Sequence, residues 1–151
     1  MKAYMTEQLY IIRKALPEDI SFIYSSWLKS FRYGATANKL VRTDIFFTNY
    51  REVLDSILAR SLTLVACLPD SPEVILGYMV YEEDIIHYCF IKHSFRRLGI
   101  ASRLLEQTGL KDSEFKVTHR TNELSKILDS LILVKGLKLE YNPFLLYNKD
   151  L

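Results

Sequence analysis

The residues with the clearest chemical potential lie in "FRRLGIASRLLE", Phe95 to Glu106, where Arg96 and Arg97 precede Gly99 and a leucine-rich helical pattern follows at once. A helix N-terminus already carries about half a positive charge and is matched by Asp or Glu, so two arginines there add charge of the wrong sign. An anion removes the mismatch. The free N–H groups of a first helical turn bind phosphate, and Gly99 and Ala101 are small enough for a ligand to approach the backbone. A bound phosphate accounts for this stretch better than a solvated basic turn does.

Other chemistries are less well served. His87, His93 and His119 lack the HxxxH spacing of a metal site. Cys67 and Cys89 sit in apolar runs without CxxC spacing, as small buried hydrophobes do, so neither a protein-bound metal nor a disulfide framework is expected. At 151 residues and 49% apolar composition, the chain has the length for one domain around one core. Its 20 Lys and Arg against 18 Asp and Glu leave a net charge of +2, which gives no broad attraction to nucleic acid or to an anionic membrane. Any anion site must be local. The longest apolar runs, "LDSLILV" among them, fall far short of the ~20 residues that cross a bilayer. Met1 to Leu9 lacks the apolar core of a signal peptide, and a cytoplasmic protein with reduced cysteines is expected.

The elements that must position the basic turn follow from residue periodicity. "YIIRKA" has strand composition, and "LPEDISFIYSSWLKSF" opens a helix with Pro17, Glu18 and Asp19 in its first turn. "DIFFTNYREVLDSILARS" repeats Phe47, Tyr50, Leu54, Ile57 and Leu58 at helical spacing. "LTLVACL" and "VILGYMVYE" flank the turn "PDSPE", a hairpin signal. "IIHYCFIK" is a third consecutive strand, leading into the basic turn and a helix from Gly99 to Leu110. "FKVTH" reads as a strand, Asn122 to about Val134 as a helix, and "LKLEYNPFLLY" as one or two short strands around Pro143. The order β-αα-βββ-α-β-α-β predicts a single α/β domain over residues 1–151, with a mixed central sheet and helices on both faces.

In this setting "RRLGIA", Arg96 to Ala101, resembles the acetyl-CoA pyrophosphate motif of the GNAT superfamily of N-acetyltransferases, Arg/Gln-x-x-Gly-x-Gly/Ala, with Ala101 in the last position. The strand ending "FIKHSF", the "LL" of the following helix, the element order and the opening "IRKALPEDISFIY" extend the resemblance over nearly the whole chain. It implies a GNAT fold and an acetyl-CoA-dependent N-acetyltransferase, moving the acetyl group to a primary amine of a small molecule or protein by direct attack. It also implies that backbone N–H groups of Arg97, Leu98, Gly99, Ile100 and Ala101 bind the coenzyme A pyrophosphate, with Arg96 adding charge. The main chain of Ile91 would polarise the thioester carbonyl. The pantetheine arm would run beside Phe90, Ile91 and Lys92 and meet Asn122. GNAT proteins often dimerise, which makes a homodimer one expected state. Two positions depart from the family pattern: "NELSKILD" puts Asp129 where a tyrosine acid is frequent, and His93 replaces a common proline. The missing tyrosine keeps open an alternative, a non-catalytic GNAT-fold component that binds acyl-CoA or protein partners.

Amine acetylation needs a base for the ammonium proton and an acid for the departing thiolate. His87 lies on the strand before the motif; period-two alternation gives it a face with Cys89 and Ile91. Several members of this family place a glutamate base in this part of the strand, and an imidazole with an ordinary pKa near 6.5 suits the task. A hydrogen-bonded core histidine is the competing reading. Glu82 and Glu83, acting through water, and His119 are further bases. Tyr141 and Tyr147 are the candidate acids, because the C-terminal strands border the thioester in this family. Cys89 is disfavoured as an acyl carrier, since the family transfers directly. For the acceptor, Trp27, Phe31 and Tyr33 could line a pocket, and Arg32, Lys39 and Arg42 could meet an acidic group; the alternative is a core tryptophan and solvated charges. A nucleic-acid role for Arg96, Arg97 and Arg103 is disfavoured by the near-neutral charge and the lack of an aromatic-interleaved basic stripe. "SWLKSFR", "FRRLGIA" and "YNPFLLY" together resemble small GNAT-like proteins of bacteriophages, which would place the protein in a host cytoplasm.

Overall fold

A computed structural model of the chain describes residues 9–110 and 114–146. Strand β1 (Ile11–Lys14) leads through a single 3-10 turn, Pro17–Asp19, into α1 (Ile20–Gly34), the one-turn α2 (Thr36–Lys39) and α3 (Thr43–Arg60). Strands β2 (Leu62–Cys67), β3 (Ile75–Glu82) and β4 (Ile85–Ile91) follow, then α4 (Ile100–Gln107), β5 (Glu114–Val117), α5 (Asn122–Lys135) and β6 (Lys138–Tyr141). The six strands lie in sequence order in one sheet; β1 to β4 pair antiparallel, and β4 with β5 and β5 with β6 pair parallel. Helices cover both faces.

Local chemistry sets the element ends. The Asp19 carboxylate accepts the Leu16 N–H at 2.7 Å and pairs with Arg13 at 2.6 Å, fastening the start of the first helical segment to β1. Strand β3 is buried at every position, as expected of the middle of a sheet covered on both sides, and its run "ILGYMVY" is continuously apolar apart from the tyrosine hydroxyls. Trp27 of α1 is fully buried and stacks on Tyr88 of β4 at 4.6 Å between ring centroids. Leu54 and Ile57 of α3 and Leu104 of α4 complete the core with no exposure.

The element order matches the sequence reading, with two differences of detail. Helix α2 lies in "TANK", where no apolar period marks it, and is too short to have one. After α5 there is one strand; Pro143 then opens a 3-10 turn to Leu146, since it cannot donate to a ladder.

Strands β4 and β5 share two register pairs, Ile85 with Lys116 and Ile86 with Val117. Beyond Val117 the chain leaves the sheet to cap α5, where Thr121 Oγ1 accepts the Leu124 N–H at 2.9 Å. The rest of β4 therefore has an unpaired edge facing the start of α5. Among the described residues no helix is long and apolar enough to cross a membrane.

Candidate functional site

The orientation of this free edge can be derived from its ladder. The Lys92 N–H donates to the Leu76 carbonyl at 2.8 Å. Alternate residues of an antiparallel strand face the same neighbour, so the backbone polar groups of Ile91 point the other way, into the gap left by β5. The Ile91 carbonyl does accept from that side, taking the Arg96 Nε–H at 3.0 Å. Across the ladder Gly77 cannot be enlarged: an added Cβ would lie 2.6 Å from the Phe90 carbonyl and 2.7 Å from Ile91 Cδ1.

A groove of about 820 Å³ runs from this edge. Ile91, Phe95 and the turn from Arg96 to Ala101 form one wall, and Glu123, Lys126, Ile127, Ser130 and Leu131 the other. A recess of about 250 Å³ adjoins it, lined by Ser30, Tyr33 and Gly34 of α1, residues 88–91 of β4, and Thr121 and Leu124. Ile91, Arg96, Glu123 and Ile127 line both spaces.

At the head of α4, Arg97 and Gly99 take left-handed φ values of 66° and 79°. Glycine adopts this region freely, whereas arginine does so at a cost in strain, which places such residues at functional turns more often than elsewhere. The backbone hydrogen bonds run as far as the Arg96 N–H to His93 and resume with the Arg103 N–H to Gly99. The amides between them belong to this irregular turn and to a first helical turn, a combination of the kind that can receive an anion.

A buried polar network surrounds a bulge in β4. The β3–β4 register shifts between Val80 and Tyr81: Val80 pairs with Tyr88 but Tyr81 with Ile86, leaving His87 as the extra residue of a bulge. His87 is fully buried, with Nε2 at 2.8 Å from Glu82 Oε2 and Nδ1 at 2.9 Å from Thr118 Oγ1. Thr118 Oγ1 lies 2.9 Å from His119 Nδ1, and His119 Nε2 meets the Tyr50 hydroxyl. Burial lowers the pKa of both imidazoles, against the pull of Glu82 in the case of His87; His119 falls to about 3. Burial raises the Glu82 carboxyl, but hydrogen bonds from His87 and Arg60 outweigh it and hold the group below its ordinary value. With Glu82 ionised and both imidazoles neutral, one donor arrangement satisfies every link. Tyr50 donates to His119, His119 Nδ1–H to Thr118, Thr118 to His87 Nδ1, and His87 Nε2–H to Glu82. Arg60 closes the far end, with Nε at 2.8 Å from Glu82 and Nη2 donating to the Leu145 and Leu146 carbonyls.

The structure thus joins His87, His119 and Glu82, separate candidates in the sequence, into one network. The bulge interrupts the alternation that gave His87 a face with Cys89 and Ile91, and His87 does not line the groove or recess. Phe90 and Ile91 line the recess, while the Lys92 ammonium lies 5.3 Å from the Phe22 ring centroid. Arg96, Arg97, Gly99, Ile100 and Ala101 line the groove; the Leu98 side chain is exposed. Asn122 is the exposed first residue of α5, between Thr121 and Glu123, which line the site. Tyr141 is on β6, half-exposed, with the Arg120 guanidinium 5.9 Å from its ring centroid, and Tyr147 lies outside the described residues. Glu83 forms part of the β3–β4 turn at φ 48°. Of the acceptor candidates, Tyr33 lines the recess, Trp27 is core, and Phe31 packs on His119 at 4.8 Å. Arg32 is buried on the Asn38 carbonyl and Thr43 Oγ1, Lys39 is exposed, and Arg42 pairs with Asp44. Cys89 is among the residues lining the recess, and burial raises the pKa of its thiol to about 12.

Sequence reasoning missed the α5 wall and three members of the network, Thr118, Tyr50 and Arg60. Glu123, Ile127 and Ser130 recur at i, i+4 and i+7, a signal for one helix face that could have been read. Thr118 and Tyr50 carry no local signal, since Tyr50 meets His119 across 69 residues of sequence.

No protein-family model and no curated protein sequence matches this chain. Solved structures do. A possible acetyltransferase from Clostridium difficile 630 superposes with a TM-score of 0.56 at 16% identity, over 89% of this chain and 95% of that one. A candidate acetyl transferase from Pyrococcus furiosus gives 0.55 at 16%, over 93% and 90%. Aminoglycoside N-acetyltransferase AAC(6')-Iy, in complex with CoA, gives 0.52 at 13%, over 88% and 90%. For three further acetyltransferases the chain spans less than two-thirds of their length, with TM-scores below 0.5. The fold is that of the GNAT acetyltransferases.

Proposed function

We propose that the protein is an acetyl-CoA-dependent N-acetyltransferase acting on a primary amine of a small molecule or protein. The observation that carries this reading is the alignment of two backbone features along one groove: the left-handed turn at Arg97 and Gly99, and the free edge of β4 at Ile91. When bound, acetyl-CoA supplies the activated acyl thioester. Amides from Arg97 to Ala101 would hold its pyrophosphate, and the β4 edge at Cys89 and Ile91 offers the pattern with which an amide-bearing arm pairs as a substitute strand. The Ile91 N–H points into the same gap, where a donor stabilises a carbonyl oxygen that gains charge in the transition state. The fold shared with an N-acetyltransferase crystallised with CoA supports the same assignment.

Transfer is direct in this reading. A thiol held near a pKa of about 12 is protonated at neutral pH, so Cys89 is a poor acyl carrier although it borders the recess. His87 remains the candidate base by an indirect route through Thr118 and His119, whose ring lies 5.5 Å from that of Tyr88 at the recess wall. Tyr141 is the candidate acid on the neighbouring strands.

One observation favours a second reading, an acyl-CoA-binding protein without transferase activity: His87 and His119 are both fully buried, and no histidine is among the described residues lining the recess. Calorimetry with acetyl-CoA and coenzyme A, followed by thiol release with a panel of primary amines, separates the readings. Binding with amine-dependent thiol release supports the transferase, binding without release supports the second reading, and no binding of either nucleotide refutes both.

A further inference from the structure

We propose that Glu123 is a positioning residue that holds Arg96 across the groove, on the part of the β4 edge that a ligand arm needs, so that Arg96 must change partners as coenzyme A seats and competes to displace it afterwards. This rests on the coenzyme A reading above. Arg96 is fixed at both ends of its guanidinium: Nε donates to the Ile91 carbonyl at 3.0 Å, and Nη1 meets Glu123 Oε2 at 2.7 Å, with His93 Nδ1 at 3.3 Å from the same nitrogen. Because Arg96 and Glu123 line both the groove and the recess, their bridge crosses the junction between the two spaces. An arm passing from the turn at Arg97 to Gly99 towards Cys89 must cross that junction.

The two roles of Arg96 exclude one another. The Ile91 carbonyl is the acceptor that a strand-like arm would use on this edge, and the Arg96 Nε–H takes it. Arg96 also adjoins the anion-binding turn, where its charge would favour a pyrophosphate. A carboxylate beside an anion site is unfavourable to the anion, so Glu123 does not serve binding directly. Its contact with Arg96 serves the opposite state, in which the guanidinium covers the edge. Glu123 is about half-exposed, so the contact is weak enough to be exchanged rather than a permanent lock.

This assigns an unusual sign to Glu123→Gln: removal of a groove-lining charge should tighten binding. Calorimetry should give a coenzyme A Kd roughly three- to tenfold lower than that of the unaltered protein, as loss of a partly exposed competing ion pair permits. Glu123 also lies 3.6 Å from Lys126, and loss of any carboxylate raises the local positive charge. A double-mutant cycle separates this general effect from the specific one. In an Arg96→Gln background, Glu123→Gln should change the Kd by less than about twofold if it acts through Arg96. An unchanged or higher Kd in Glu123→Gln, or equal tightening in both backgrounds, overturns the inference while leaving the coenzyme A reading intact. If the unaltered protein binds no coenzyme A, that reading falls and the inference with it. Melting curves of all four proteins establish that folded molecules are compared.

Discussion

The turn from Arg96 to Ala101, after the end of β4, and the network from Glu82 to Tyr50, built around His87 within β4, are specified in opposite ways. The turn draws its shape from consecutive residues, two left-handed φ angles and a helix start, and the coenzyme A reading makes its backbone amides the working groups. The network takes Glu82 from β3, His87 from a bulge in β4, Thr118 and His119 from the exit of β5 and Tyr50 from α3. Its working groups are side chains, buried where each lost partner leaves a neighbour unsatisfied. Backbone recognition tolerates most substitutions except at the glycine, while side-chain networks in low dielectric tolerate few. The two regions should therefore fail differently, the turn in binding and the network in stability.

The largest expected effect is on stability. Glu82→Ala removes the shared partner of Arg60 and His87, and should cost about 3 kcal/mol, less than a wholly buried pair would because the Arg60 side chain keeps some solvent contact. Urea unfolding should show this loss, while coenzyme A affinity per folded molecule stays within about twofold, a limit close to the resolution of additive effects. A large affinity loss with little change in stability would reverse the contrast. Gly99→Val should produce the mirror image. No atom lies within 4 Å of an added Cβ, so the change is not a packing clash; its cost is the left-handed backbone, about 1–2 kcal/mol for a non-glycine residue. The branched side chain would stand in the groove that Gly99 lines, and coenzyme A affinity should fall by about 100-fold or more, since close backbone approach to phosphate depends on such glycines. Retained affinity in a folded Gly99→Val protein would be incompatible with a phosphate site at this turn.

The same difference explains what could be read from the sequence. The meander, the hairpin at "PDSPE" and the long helices were legible because each rests on a local period or turn residue, and their ends agree to within about three residues. The turn was legible for the same reason: Arg96, Arg97 and Gly99 are adjacent, and their charges conflict with the helix end they precede. His87, Glu82 and His119 could be picked out one by one as polar residues in apolar runs, but their connection could not. It depends on the β4 bulge and on where β5 leaves the sheet, and neither has a local signature in "IIHYCFIK" or "FKVTH". Arg96 shows a third limit. Its charge was legible, whereas its bond to Glu123 across 27 residues was not.

The smallest expected effect is a titration, and it separates side-chain from backbone chemistry most directly. His119 is held near a pKa of about 3 by burial, against 6.5 for an ordinary histidine, and His87 is lowered in the same direction. Below pH 6.5 the unfolded chain binds protons at these positions that the folded protein refuses, so acid stabilises the unfolded state. The contribution is complete above the unfolded value and declines as pH falls towards the folded one. Between pH 7 and 5.5 the loss should be about 1 kcal/mol for His119 alone and approach twice that if His87 is as strongly depressed. Carboxylates with lowered pKa values, Asp19 and Glu82 among them, add their losses at lower pH, which leaves this interval to the histidines. Urea midpoints over this range, with the slope compared in His119→Phe, provide the measurement. A wild-type stability that is flat between pH 7 and 5.5 would mean that the imidazoles charge without penalty in the folded state, contrary to a network of neutral rings joined from Tyr50 to Glu82. The amides of the turn do not titrate in this range, so the geometry of the turn should persist while the network weakens.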